Sequence, residues 1–423
     1  MKRLHFARLG QFLVFAGVMI PATLLAQTSY SIVTLDGLGG TAGGANSIND
    51  RGWATGAANL PGDGVSHAAL WMSKSNIVDL GSFGGQTGNS AVAWPVKNDN
   101  GLIVGISDTA EDNPLGEAFS CWAFYPAGAP SGKICRGFRW VDGVLTSLPP
   151  FPGGYNSYAT GANNQGQVVG WAENAVHDPT CNPAFQVLQF RAAIWAPDGK
   201  MQELPPLPGD STSAATAIND KGQVVGISGA CGIAIGGVSA AHAVLWENGI
   251  PRDIGSLGGH SWNTPTAINN QGTVVGFSLL AGQDGTRNYE AFVWTEAGGM
   301  HSLGKPAGDI RSAAFGINEK GQIVGLSRGG PYVFRALMWE NDVMIDLNTV
   351  TLPGSPFLLY ANDINDRGEI AGEAFDPDTG EAPGYVGVPS HAATPAAAAI
   401  HGAPAASVPD NVRQQLRRKW GLD

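Results

Sequence analysis

Residues 211–259 read STSAATAINDKGQVVGISGACGIAIGGVSAAHAVLWENGIPRDIGSLGG, and this stretch decides the fold. Ser213 to Asn219 is a strand of small residues, Gln223 to Gly226 a second strand, His242 to Trp246 a third and Arg252 to Gly255 a fourth. Asn219-Asp220-Lys221-Gly222 and Glu247-Asn248-Gly249 read as tight hairpins between them, because Gly accepts positive φ and Asn or Asp bonds its own backbone. One such stretch therefore makes one small antiparallel sheet.

The Asn turn of that stretch recurs along the chain. Its copies are Ile48-Asn49-Asp50-Arg51-Gly52 with Gly56, Asn98-Asp99-Asn100-Gly101 with Gly105, Asn163-Asn164-Gln165-Gly166 with Gly170, and Ile218-Asn219-Asp220-Lys221-Gly222 with Gly226. Three more follow: Ile268-Asn269-Asn270-Gln271-Gly272 with Gly276, Ile317-Asn318-Glu319-Lys320-Gly321 with Gly325, and Ile364-Asn365-Asp366-Arg367-Gly368 with Gly372. The turn glycines are 49, 65, 56, 50, 49 and 47 residues apart, a period that belongs to propellers and other repeat arrays. The expectation is all-β: a seven-bladed β-propeller of four-stranded blades over residues 27–388. An open solenoid is the rival arrangement.

Side-chain volume supplies a radial order. Blades converge at a propeller axis and diverge outward. The first strand accordingly carries Ala215 and Ala217, or Ala313 and Ala314. The second carries Val168-Val169, Val224-Val225 and Val274-Val275, with glycines expected to let adjacent sheets approach. The third holds Trp71, Trp140, Trp195, Trp246, Trp294 and Trp339. An Asp-Leu-Gly element precedes the first Asn turn at Leu35-Asp36-Gly37, but none follows the last third strand at Tyr385. Tyr30 to Leu35 is therefore expected to complete the last blade by pairing with Gly384 to Val388, locking the ring.

The motifs resemble the HAF-repeat family of bacterial extracellular proteins. His67-Ala68-Ala69-Leu70-Trp71, His242-Ala243-Val244-Leu245-Trp246 and Glu290-Ala291-Phe292-Val293-Trp294 are similar to its third-strand signature. Asp79-Leu80-Gly81-Ser82-Phe83-Gly84-Gly85 and Asp253-Ile254-Gly255-Ser256-Leu257-Gly258-Gly259 are similar to its Asp-Leu-Gly-x-Leu-Gly-Gly element. The likeness covers about residues 30–388. Leu148-Pro149-Pro150 and Leu204-Pro205-Pro206 depart from it, as does Tyr385 where the pattern has Trp. The resemblance implies an export location and a propeller-like body, and brings no catalytic residues.

The ends carry separate signals. Lys2, Arg3 and Arg8 before the apolar run Phe12 to Leu25, with Ala26 at the cleavage position, read as a signal peptide over residues 1–26. A periplasmic or extracellular location follows as an expectation. Its removal takes the formal charge from −11 to −14, so a nucleic-acid partner is not expected. No later segment is apolar enough to span a membrane. Residues 389–409 read as an Ala/Pro-rich linker, and 410–423 as a short basic amphipathic helix with Val412, Leu416 and Trp420 on one face. That tail could touch an anionic membrane surface weakly, dock on the acidic propeller or fray.

Function is expected at the longest loops. From the second-strand Gly to the third-strand aromatic the chain runs 15, 35, 25, 20, 18, 14 and 13 residues, so one face is elaborated, chiefly in the second to fourth repeats. An unknown protein or glycan is the expected partner there, and the protein is expected to be monomeric. Cys121, Cys135, Cys181 and Cys231 all lie in these insertions. After export they are expected to form disulfides, Cys121 with Cys135 and Cys181 with Cys231 being the pairing that loop proximity favours among three possible. No cofactor, metal or catalytic residue is assigned. Gly325-Leu326-Ser327-Arg328-Gly329 has nucleophile-elbow spacing, yet Ser107, Ser228 and Ser278 occupy the same strand-end position in other repeats. His67 and His242 share a position with Arg136, Arg191, Glu290 and Arg335, which reads as a polar strand start. The turn pairs Asn49-Asp50, Asn219-Asp220 and Asn365-Asp366 offer too few oxygens for calcium and read as turn caps. Asp108, Glu111, Asp112 and Glu117 could supply the two carboxylates a glycosidase needs. The reading is an exported binding or scaffolding module, with an extracytoplasmic carbohydrate-active hydrolase or lyase on the same scaffold as the alternative.

Overall fold

A computed structural model describes residues 28–96, 98–117, 131–231, 240–330 and 333–390. The segment read as a signal peptide, Cys121 and the tail after Ser390 lie outside the described residues. Seven four-stranded antiparallel sheets form a seven-bladed β-propeller, each blade ordered as its strands occur in the chain except the last. Blade 4 consists of Thr212–Ile218, Val224–Gly229, His242–Glu247 and Ile250–Asp253, so all four strands of the deciding stretch form. No α-helix occurs among the described residues.

Blade 7 closes the ring. Its first three strands are Phe357–Ile364, Ile370–Phe375 and Gly384–Ser390, and its fourth is Ser29–Thr34 from the other end of the chain. The register runs from Ser29 opposite Ser390 to Thr34 opposite Tyr385, two residues beyond the expected end of the propeller. Tyr30 is buried among Met338, Ile345, Leu358 and Tyr385, and its N–H and C=O bond Val350 O (2.8 Å) and Leu352 N (3.0 Å).

First strands meet at the axis. The Thr160 hydroxyl donates to Ala215 O (3.0 Å), Thr266 to Ala314 O (2.8 Å), the Asn46 amide to Val92 O (2.7 Å) and the Asn362 amide to Ala45 O (3.1 Å), each crossing to a neighbouring blade. These donors sit on bulges. The first and second strands of blades 1, 3, 4, 5 and 6 lose register across Asn46, Thr160, Thr216, Thr266 and Phe315, each pairing skipping that residue. The extra residue swings its side chain out of the ladder, as bulges do.

This bulge corrects the expected role of the second-strand glycines. They do not mainly admit a neighbouring sheet; they admit their own first strand. A Cβ on Gly226 would lie 2.0 Å from Ala214 O, and on Gly170 1.9 Å from Tyr158 O, with the same clash at Gly56, Gly105, Gly276, Gly325 and Gly372. No side chain fits there.

The third-strand Trp joins blades. Trp71 donates its indole N–H to Asp36 O (2.8 Å), Trp195 to Pro149 O (3.0 Å), Trp246 to Pro205 O (2.7 Å) and Trp339 to Leu303 O (3.0 Å). The acceptor is a carbonyl of the preceding blade's exit, so Leu-Pro-Pro serves as well as Asp-Leu-Gly. Both departing repeats still form a fourth strand, Val144–Leu148 and Met201–Leu204.

At the hairpin face the Asn turns interlock. Asn219 Oδ1 accepts Lys221 N and Gln223 N, both at 3.0 Å, capping its own turn, while its Nδ2 donates to Asn269 O (3.0 Å) in the next blade. The same donation runs from Asn49 to Asn98 O, Asn163 to Asn219 O, Asn269 to Asn318 O, Asn318 to Asn365 O and Asn365 to Asn49 O. Asn100 supplies the link to Asn164 O in blade 3. A second ring lies beside the first: Asp50, Asp99, Asn164, Asp220, Asn270, Glu319 and Asp366 each accept the backbone N–H of the equivalent residue one blade back, at 2.7–2.9 Å. The Asx residues thus cap a neighbour as well as themselves.

Candidate functional site: the loop face

The other end of each blade holds the second-to-third loops and the connections to the next blade. Its repeating part is a Ser-held clasp. Ser107, Ser228 and Ser278, each two residues after the bulge Gly, accept Phe83 N (2.9 Å), Leu207 N (2.9 Å) and Leu257 N (2.8 Å) from the incoming connection. The nucleophile-elbow spacing at Ser327 belongs to the same position, and its hydroxyl donates to Asp309 Oδ2 (2.5 Å). Asp79 Oδ1 accepts Gly81 N (2.8 Å) and lies 2.9 Å from His67 Nδ1; Asp253 does the same for Gly255 N and His242. Hydrogen bonds from His67 and Gly81 oppose the effect of burial at Asp79 and leave its carboxyl below the usual range.

Blade 4 gathers a Ser, an Asp and a His. The Ser228 hydroxyl donates to Asp210 Oδ2 (2.5 Å), and His242 Nε2 lies 3.9 Å from the same oxygen with its Nδ1 on Asp253 (3.1 Å). Blade 6 repeats the arrangement as Ser327, Asp309, Arg335 and Asp346, with Arg335 Nε donating to Asp309 Oδ2 at 3.2 Å. A guanidinium cannot act as a base, and the fold uses it interchangeably with the imidazole. In both blades the side chain staples an Asp carboxylate of the blade's exit to one of its entry.

Blades 2 to 4 carry the elaborated half. Cys181 and Cys231 form a disulfide joining the insertions of blades 3 and 4, with Cα atoms 4.6 Å apart, as loop proximity favours. Cys135 is disulfide-bonded too; Cys121, its expected partner, lies outside the described residues. Asp178 with Cys181 and Cys231 is the cluster with metal-like proximity among the described residues, and both sulfurs are consumed in the disulfide.

The four acids named from the sequence do not converge. Asp112 pairs with Lys133 (2.7 Å), Glu111 is exposed, and Asp108 is buried and accepts Asn89 N and Nδ2. Glu117 instead meets Glu173, which the sequence reading missed. Glu117 is 1 % exposed, and its Oε1 accepts Val187 N (2.8 Å) and Leu188 N (2.6 Å), tying the blade 2 insertion to blade 3. Glu173 is 0 % exposed and accepts four donors: Asn156 Nδ2 (2.7 Å), Asn156 N (2.8 Å), Gln186 Nε2 (2.9 Å) and Tyr155 N (3.2 Å). Gln186 Nε2 also stands 3.3 Å from Glu117 Oε1, so one amide bridges the two carboxylates. Burial, and then the Glu117 charge, push the Glu173 carboxyl above its ordinary range, against these hydrogen bonds. The signal for Glu173 was an acid three residues past the bulge Gly, where blades 5 and 7 have Leu279 and Phe375.

Blades 5 to 7 carry a different half. Trp262, Phe277, Tyr289, Phe315, Phe334 and Tyr360 share one buried cluster. Arg287, Arg311 and Arg328 lie over the rings of Trp262 (5.7 Å), Tyr289 (5.4 Å) and Phe334 (5.2 Å). This packing of cations on aromatic rings had no sequence motif, because its residues come from strand ends and connections of different blades.

No protein-family model and no curated protein matches the chain. Among solved structures it is similar to virginiamycin B lyase from Staphylococcus aureus, at 10 % identity and a TM-score of 0.45, over 85 % of this chain and 99 % of that one. The β-propeller domain of the trilobed protease from Pyrococcus furiosus matches at 7 % identity and a TM-score of 0.44, over 79 % and 92 %. A Mycobacterium tuberculosis puromycin-hydrolyzing peptidase matches at 13 % identity and a TM-score of 0.48, over 87 % of this chain and 52 % of its own. These are likenesses of fold.

Proposed function

We propose that the protein is an exported HAF-type repeat propeller that works as a binding or scaffolding module, with the loop face as its contact surface. The carrying observation is how that face spends its reactive groups. Its Ser hydroxyls hold connections, its His and Arg side chains staple a blade's entry to its exit, and Glu117 accepts backbone N–H groups of the neighbouring insertion. A fold that commits these groups to holding loops in place builds a shaped surface, and fixed loops on a rigid ring suit recognition.

The second reading, a carbohydrate-active hydrolase or lyase, rests on the Glu117–Glu173 pair. A carboxyl raised by burial beside a second carboxylate is the pattern of an acid–base pair. One experiment separates the readings. The full exported protein is melted against envelope and environmental glycans, peptides and divalent cations, and the supernatants are analysed for products. A ligand at 100 times its dissociation constant stabilises by about 2.7 kcal/mol, enough to register. Shifts without products support the binding module. Products that vanish in Glu173→Gln replace it with the enzyme, and no shift with any ligand, together with no protein captured from the envelope, overturns it.

A further inference from the structure

Blade 2 makes its Asn turn differently from the other six blades. In those six the turn Gly donates its N–H to the carbonyl of the turn Asn at 2.9–3.1 Å, as Gly222 does to Asn219 O. The Gly101 N–H donates to no backbone carbonyl among the described residues. The Asn98 N–H turns back to Val96 O (3.2 Å), where the other turn Asn residues donate across the hairpin, as Asn219 does to Gln223 O (3.1 Å). The cause lies in the preceding strand. The first strand of blade 2 pairs with the second only through Ser90 and Ala91, whereas the ladder of blade 4 runs down to Ile218 opposite Val224. The blade 2 turn is left open, and a backbone opens most readily where its own hydrogen bonds are fewest.

The same turn carries a labile dipeptide. Six turns place Arg, Gln or Lys before the Gly, while blade 2 places an exposed Asn100 before Gly101, whose φ is +81°. In an Asn-Gly step the Gly nitrogen can attack the Asn side-chain carbonyl, since no Cβ on the Gly blocks the approach. Base removes the Gly101 N–H proton, the bond from that nitrogen to Asn100 Cγ forms, the Cγ–Nδ2 bond breaks, and the departing amide takes up a proton and leaves as ammonia. Water then opens the cyclic imide at one carbonyl to give aspartate, or at the other to give isoaspartate. Amide and water thus become acid and ammonia, with no further reactant. A hydrogen bond on the attacking N–H opposes the first step, and Gly101 lacks the one its six counterparts make. The chain's other Asn-Gly step, Asn248-Gly249, lies inside a closed hairpin, with Glu247 paired to Ile250 across it and φ held at +53° and +78°.

The amide at stake joins two blades. Asn98 spends its Nδ2 on its own turn, at Leu102 O (2.6 Å), so the crossing donation to blade 3 comes from Asn100 Nδ2 to Asn164 O (2.7 Å). Blades 3 and 5 make a like crossing with Gln at this position, Gln165 Nε2 to Asp220 O (2.7 Å) and Gln271 Nε2 to Glu319 O (2.6 Å). A carboxylate at residue 100 has no proton to donate and would set its oxygens against the Asn164 carbonyl. We infer that Asn100 is a site of self-modification: its amide is lost to the Gly101 nitrogen, and the aspartate or isoaspartate formed releases the hairpin-end link between blades 2 and 3. The inference is independent of the binding-module reading. Its consequence is a slow, irreversible loosening of the junction whose loop end is held by Glu117 on Val187 and Leu188.

The test incubates the full folded chain at neutral and at mildly alkaline pH, then digests it and weighs the peptides, with isoaspartate detected by enzymatic methylation. Wild type, Asn100→Gln and Asn100→Asp are each melted before and after incubation. Asn100 should convert several-fold faster than Asn248, and faster at the higher pH. Incubated wild type should gain a lower-melting fraction, and fresh Asn100→Asp should melt below fresh wild type. Asn100→Gln should melt like wild type and stay there, because Gln repeats the crossing amide of blades 3 and 5 and closes a larger imide ring far more slowly. The inference falls if Asn100 keeps its amide or converts no faster than Asn248. It falls equally if converted wild type and Asn100→Asp melt like fresh wild type, since the amide then links nothing. Should Asn100→Asp fail to fold, the conversion rates and the melting of incubated wild type against Asn100→Gln decide alone.

Discussion

At the hairpin end of the ring, Asn163, Asn219, Asn269, Asn318 and Asn365 each cap their own turn and donate to the next blade, whereas at the loop end Glu117, Cys181 and Arg311 each serve one place only. The first end meets a similar neighbour at every junction, with only Asn100 standing in for Asn98 in blade 2, so one solution recurs. The second end meets insertions of different length, and each blade pair solves its contact separately. Uniformity in this molecule marks mutual support among blades; divergence marks contacts that each blade pair makes for itself. Among the described residues no helix is long and apolar enough to cross a membrane.

The largest effect should come from breaking closure itself. A chain lacking residues 28–34 loses the fourth strand of blade 7 and the burial of Tyr30, and should lose cooperative unfolding, while a chain ending at Ser390 should melt like the full one. Equal midpoints for the two would remove the closing strand from the account. Next, Gly226→Ala puts a Cβ 2.0 Å from Ala214 O and should cost about 3 kcal/mol or more in urea unfolding. Gly282→Ala, on the loop side with nothing within 4 Å but φ +75°, should cost only about 1 kcal/mol.

Removing the Cys181–Cys231 bond by paired Ser substitution should cost about 2–4 kcal/mol, since it closes a 50-residue loop in the unfolded chain. Asn219→Ala leaves two turn N–H groups and Asn269 O without their partner and should cost about 2 kcal/mol. Each is checked by denaturant unfolding, and a smaller loss for Asn219 than for an exposed loop Asn would break the contrast between the two ends.

The smallest effect is a pH slope. Because the Glu173 carboxyl is raised in the folded state, the folded protein keeps this proton after the unfolded chain has released it. Its contribution is therefore present below the ordinary Glu range, about pH 4.3, and is lost as pH climbs through the raised value. Glu173→Gln should lower the midpoint at every pH, through lost acceptors, yet flatten its decline as pH rises above the ordinary Glu range. An unchanged slope would show that Glu173 ionises normally.

Much of the fold was legible because it is periodic. The Asn turns, the second-strand glycines and the Trp positions announced blade number and strand order, and the Asp-Leu-Gly element at Leu35-Asp36-Gly37, missing after Tyr385, announced the closing strand. The reason for the glycines was not legible: Ala214 and Gly226 form no motif, and only the bulge brings that carbonyl against that Cα. The disulfide between the insertions of blades 3 and 4 could be guessed from loop proximity. Glu117 and Glu173 could not be paired by spacing, because a loop of one blade reaches a strand end of the next.

The sequence by itself determined seven small antiparallel sheets in a repeating series, since turn chemistry and side-chain volume act within a few residues of where they are written. Only the tertiary structure decided what stands at the loop face. Arg287, Arg311 and Arg328 reach one Tyr from two blades, and Glu117 reaches Glu173 from a third pairing of elements. Such neighbours are fixed by the curvature of the closed ring, which no local pattern records.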